Sequence, residues 1–213
     1  AASNFYREAI YALIYGSTPA PSTVSGSFSG GYQIFPNSDD EHFHEGGAIN
    51  TRDYLGDFAR FMGQRNPSSG NARAARAWLG NTGALRRWLF DALGGTGSPA
   101  DITSLPLDYY APGAQVLNAR TAHDATATQL HLELGTPGGT EHRHLDAGSF
   151  MLWRRGRWIT RESTGYADNL VGFGGTGVVG TEHPLAHNSL LFQGRSTARW
   201  IGSGPQVIPP GVD

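Results

Sequence analysis

Residues 142–150 read His-Arg-His-Leu-Asp-Ala-Gly-Ser-Phe, placing two imidazoles and a carboxylate within five positions. On an extended strand, side chains at i, i+2 and i+4 share a face. His142, His144 and Asp146 would then point the same way, an arrangement suited to holding a metal or handling a proton. The plain alternative is a polar turn ahead of a strand.

Two further polar clusters follow. Arg161-Glu162-Ser163-Thr164-Gly165-Tyr166 closes a run containing Trp158, and His187-Asn188-Ser189 opens the run Leu190-Leu191-Phe192. All three clusters fall at expected strand ends, where residues far apart in sequence can converge. Two neutral imidazoles and a carboxylate form a suitable tetrahedral zinc set, leaving a fourth place for water or substrate. His144, Glu162 and His187 would supply one ligand from each cluster. In the alternative, Glu162 pairs with Arg157 or Arg161 and His187 caps a strand.

The elements that must position these residues fall into two textures. Over residues 4–15, Phe5, Ile10, Leu13 and Ile14 form an apolar stripe that stops at Gly16. Residues 22–40, rich in Gly, Ser, Pro, Asn and Asp, read as a long loop of the kind that often carries function. A second helix is expected over 50–64, burying Tyr54, Leu55, Phe58, Phe61 and Met62, with shorter helices over 71–80 and 83–93. Gly94-Gly95 would stop the last of them.

Beyond about residue 98 the pattern becomes short and strand-like: 116–120, 126–134, 149–153, 157–161, 189–193 and 198–201, separated by Gly- or Pro-containing turns. Arg154-Arg155-Gly156-Arg157 fits a hairpin turn. Helices followed by strands predict an α+β chain with two segregated layers or domains, a helical segment over 1–98 and a β segment over 99–213. Gly172–Gly180 is glycine-rich but lacks the Lys-Ser/Thr ending of a phosphate-binding loop, and no helix pattern follows it. It reads as a surface or active-site loop. The ending Pro209-Pro210-Gly211-Val212-Asp213 supplies no closing element, and the strands are few for a sandwich. Both features point to a fragment of a longer chain or to a chain that pairs with another.

Composition narrows the chemistry. A net charge of −2 over 213 residues gives no reason to expect a nucleic-acid partner. No apolar run is long enough to span a bilayer, and the opening Ala-Ala-Ser-Asn resembles a mature or truncated start. With no cysteine, thiolate ligands are excluded, and the eight histidines must supply any nitrogen ligands.

The ordered motifs are His-x-His-x-Asp-Ala-Gly-Ser-Phe, a strand, Gly-x-Trp, an acid, Gly-Tyr and, about twenty-five residues after the acid, His-Asn-Ser-Leu. This order resembles the heparinase II/III-like superfamily of polysaccharide lyases, over residues 105–200. The Leu-Pro-Leu-Asp-Tyr-Tyr and Asn-Ala-Arg segments ahead of it fit as well. The resemblance implies the end of an α-helical toroid joined to an antiparallel β-sandwich, with the active site between them. It implies β-elimination next to a uronic acid, a structural Zn(2+) in the sandwich, an acidic polysaccharide substrate, and a periplasmic or secreted bacterial protein. Homo-oligomerisation, or association with the rest of a longer chain, is also compatible with it.

Carried over by motif, His144, Glu162 and His187 become the zinc ligands, although the family more often has Asp at the second place. His142 would face the cleft as a catalytic or substrate-positioning residue, and Asp146 would orient a histidine or the turn. The family's tyrosine normally follows a Glu-Gly segment. Here Ile49 and Asn50 stand at that place after Glu45-Gly46, and Tyr54 follows a helical turn later. Tyr54 and Tyr166 are thus the tyrosine candidates, and Arg52, His44, Asn50 and Arg120 the substrate-binding ones. Arg52 would clamp a carboxylate through its bidentate fork.

Two other readings compete. A non-catalytic acidic-polysaccharide-binding or scaffold protein would keep the same fold and metal. A cupin-like metal enzyme would also use His-x-His on a strand, but it needs a Glu about four residues on, where Gly148 and Ser149 stand.

Overall fold

The structure is a computed structural model and describes residues 4–23, 31–35, 53–83, 97–135, 147–161, 187–189, 191–192 and 195–196. In chain order the helices are α1 (Phe5–Tyr15), α2 (Asp53–Arg65) and α3 (Gly70–Thr82), followed by a single 3₁₀ turn at Ile102–Ser104. The strands are β1 (Asp108–Ala111), β2 (Val116–Arg120), β3 (Thr128–Glu133), β4 (Phe150–Arg154), β5 (Arg157–Thr160), β6 (Leu191–Phe192) and β7 (Arg195–Ser196). β1 to β5 form an antiparallel meander in sequential order, and β6 and β7 form a separate pair. The α+β class expected from the order of textures is what the structure has.

The helices pack through one apolar core of Ile10, Leu13, Ile14, Tyr15, Ala59, Met62, Ala74, Ala75 and Trp78. α3 starts with Ser69 capping the Ala72 amide and can approach closely because its buried face is mostly alanine. Two expected core residues lie outside this core. Phe5, in the first turn of α1, is 64% exposed, and Phe61 sits at the margin of its helix's buried stripe. The helix expected over 83–93 falls outside the described residues apart from Gly83, which ends α3. The strand expected over 198–201 and the loop Gly172–Gly180 lie outside them too.

Part of the expected long loop is ordered structure. Ser17 bridges Ile34 in an antiparallel contact, and Phe35 is buried. The Arg154–Arg157 hairpin forms as expected. Arg155 and Gly156 both have positive φ (48° and 83°), which is the two-residue turn that suits the twist of paired strands. A side chain at Gly156 would also strike Thr23, 2.6 Å from Oγ1. β1 was not expected as a strand: it is four residues long and bracketed by Pro106 and Pro112.

The register divides the meander into two unlike faces. On one, Tyr109, Asn118, His131 and Met151 lie in a cross-strand row, and Arg120, Gln129, Trp153 and Trp158 in the next. The end of α1 and residues 31–35 cover this face. Gln129 Nε2 donates to Tyr15 O at 2.6 Å, Trp158 Nε1 donates to Gln33 Oε1, and Phe35 packs edge-on against Trp158. On the other face Tyr110, Leu117, Leu132 and Phe150 form a row, flanked by Ala119, Leu130 and Leu152.

Candidate functional site

The stretch from His142 to Phe150 ends in a turn at Ala147-Gly148. Gly148 has φ 85°, a backbone that glycine adopts without strain, and it accounts for the glycine of Asp-Ala-Gly-Ser-Phe. The turn closes onto β3: Gly148 N–H donates to Glu133 O at 2.7 Å, and Glu133 N–H donates to Ser149 O at 2.9 Å. β4 then starts at Phe150.

β5 runs back to the same end of the sheet and finishes beside Arg161. Asn188, next to His187, joins the two. Its Nδ2 donates to Phe150 O at 3.1 Å and to Arg161 O at 3.3 Å. The sequence flanks of all three polar clusters therefore meet at one sheet end, tied by a single amide. His187 sits half-buried in the turn that carries Asn188.

His187 and Arg120 are described in full. The other candidates, His142, His144, Asp146, Glu162, Tyr166, His44, Asn50 and Arg52, lie outside the described residues. Tyr54 belongs to α2, and its side chain lies outside them as well. Among the described residues no group of three or more His, Asp or Glu is placed to hold a metal ion.

Arg120, expected to meet substrate, is placed inside the molecule. Its Nη2 donates to the carbonyls of Ile14 at 3.1 Å, Tyr15 at 3.0 Å and Ser17 at 3.4 Å, and its guanidinium lies 5.0 Å from the Tyr15 ring centre. These carbonyls are at the negative end of α1, so the cation answers both their hydrogen-bonding need and the helix dipole. Burial pushes its pKa down to about 10, which leaves it charged. Arg120 thus works as a clamp between helix and sheet.

Beside it is a polar cluster that is not among the expected site residues. His131 Nδ1 lies 2.8 Å from Asn118 Oδ1, and Nε2 lies 3.5 Å from Glu133 Oε1. Phe35 stacks on the imidazole, with ring centres 5.2 Å apart. Asn118, His131 and Glu133 are all buried. An amide oxygen only accepts, so the proton on Nδ1 follows from chemistry. The signal was available, because Gln129, His131 and Glu133 stand at i, i+2 and i+4 of a strand, the same spacing noticed at 142–146. Glu133 carries this network to the sheet end where its backbone pairs with Gly148 and Ser149.

No family model matches the chain, and no curated protein matches it. Among solved structures it is similar to a heparan sulfate lyase HepC mutant from Pedobacter heparinus, at 20% identity and a TM-score of 0.34. The match covers 79% of this chain and 19% of that one, so the chain spans about a fifth of the length of the lyase it matches. The likeness is distant.

Proposed function

We propose that this chain is part of a polysaccharide lyase that breaks a uronic-acid-containing glycan by β-elimination. The observation that carries the reading is the Asn188 amide, which draws together the flanks of three polar clusters separated by up to about forty residues. The order of those clusters is the order of the lyase motifs.

In this reading His144, Glu162 and His187 hold a structural zinc. Two imidazoles and a carboxylate are a donor set that zinc accepts, and the ion would pin three chain segments at the sheet end. The half-open apolar face of the meander supports the sandwich architecture, since a second sheet packed there would bury it. The helical segment would be the end of the toroid.

The reaction makes defined demands on the protein. A base removes the C5 proton of the uronate, the C4–O bond breaks as the C4–C5 double bond forms, and the leaving oxygen takes a proton. Charge builds on the uronate carboxylate and must be neutralised. His142 is assigned to face the substrate. Tyr54 or Tyr166 handles the proton, Arg52, His44 and Asn50 hold the substrate, and Asp146 orients a histidine. The acidic polysaccharide and a periplasmic or secreted location belong to the same proposal.

The test uses the full-length protein on alginate, heparan, hyaluronan and ulvan-type polymers. Ultraviolet absorbance from the new double bond is the expected result, and its absence on every polymer overturns the reading. One observation favours a second reading, a non-catalytic acidic-polysaccharide binder: Ile49 and Asn50 stand where the lyases carry their tyrosine. Binding without turnover, unchanged in Tyr54→Phe and His142→Ala, would establish it.

A further inference from the structure

A cavity of about 20 Å³ lies where α1, α3 and β2 meet, lined in part by Tyr32, Asn81, Thr82, Arg120 and His123. It has room for one water-sized or halide-sized occupant. No carboxylate is among its described lining residues. Two of those residues bring fully buried atoms without a hydrogen-bond partner, Arg120 Nε and His123 Nδ1. Among the described residues, Arg120 is balanced only by carbonyl oxygens and the Tyr15 ring, with no carboxylate paired to it. A buried cation and an imidazole beside an atom-sized space of mixed lining suit a small anion.

The tautomer of His123 sets the condition. Its Nε2 lies 3.0 Å from Leu105 O and must donate, since a carbonyl only accepts. Nδ1 of the neutral ring is then an acceptor, and Nδ1 of the protonated ring is a donor. We propose that this cavity is a protonation-gated site for a single monovalent anion of halide size, held by Arg120 Nε–H and His123 Nδ1–H. With the ring neutral, a water that accepts from Arg120 and donates to His123 takes the place.

The charged and titratable surroundings agree with this gate. Tyr15 of α1 and Tyr32 remain neutral phenols, their ionisation pushed up by burial. Asp101 before the 3₁₀ turn and Asp124 after β2 remain carboxylates. Hydrogen bonds from Thr103 and Thr126 hold them below their usual range. α3 lines the cavity with Asn81 and Thr82, which do not titrate.

Thermal unfolding in sodium chloride and in sodium gluconate at equal ionic strength tests the site. At pH about 5.5, chloride at roughly tenfold above its Kd should raise Tm by about 3 °C, and at pH about 8 the difference should vanish. Asn81→Leu, on an exposed position of α3, should fold normally and lose the chloride effect by closing the space. Crystals of the chain grown in sodium bromide at the lower pH should show an anomalous bromine peak beside Arg120 Nε. Equal Tm values in both salts, a chloride effect of the same size at both pH values, or density without bromine signal would each overturn the proposal.

Discussion

One face of the five-stranded sheet carries Asn118, Arg120, Gln129, His131 and Glu133, and all five are buried. The opposite face carries Tyr110, Leu117, Leu132 and Phe150 in one cross-strand row, with Tyr110 48% and Phe150 41% exposed. Side-chain polarity thus runs opposite to exposure. The polar face is tolerated inside because its groups have partners: Arg120 on the carbonyls ending α1, Gln129 on Tyr15 O, and His131 between Asn118 and Glu133. Such an interior fixes how helix and sheet meet, because each polar group has few acceptable positions. The apolar face makes no directional demands and offers area to a second layer.

Substitutions on the two faces should therefore differ in size. Trp153 lies fully buried within the polar face, and Trp153→Ala should cost about 3–5 kcal/mol in denaturant unfolding. Arg120→Met keeps the bulk of the side chain but strands the carbonyl of Ile14 and leaves Tyr15 O to Gln129 alone, so a loss of about 2–3 kcal/mol is expected. Asn118→Leu removes the acceptor for His131 Nδ1 and should cost about 1–2 kcal/mol, with the register of β2 and β3 retained in amide exchange. Ile159→Ser, at a residue 60% exposed on β5, should change stability by under about 0.5 kcal/mol while lowering binding of an apolar dye. A large loss at Ile159, or a negligible one at Arg120, would break the comparison.

Legibility in the sequence followed locality. β2 is found at its expected residues because it is a short run set off by the Pro112-Gly113 turn, and the Arg154–Arg157 turn because Arg-Gly permits two positive φ values. Residues 31–35 were lost in a Gly- and Ser-rich stretch, although Tyr32, Ile34 and Phe35 are the residues that pack there. Phe5 and Phe61 fit the helical period, yet their exposure depends on what lies opposite, which periodicity does not carry. The same holds for the site. His187 was singled out by type, but the approach of its neighbour Asn188 to Phe150 and Arg161 is a contact across 38 and 27 residues. Arg120 as a substrate residue follows from the resemblance that its Asn-Ala-Arg segment shares, whereas its clamp role depends on where α1 ends.

The proposed function puts a zinc ion at the sheet end tied by Asn188. Diffraction from the full-length protein, measured on both sides of the zinc absorption edge, tests it most directly. One anomalous peak is expected, bound by His144, Glu162 and His187 with about 2.0–2.2 Å to each nitrogen or oxygen ligand. A protein saturated with zinc that shows no peak at this sheet end, or a peak held by other residues, would contradict it.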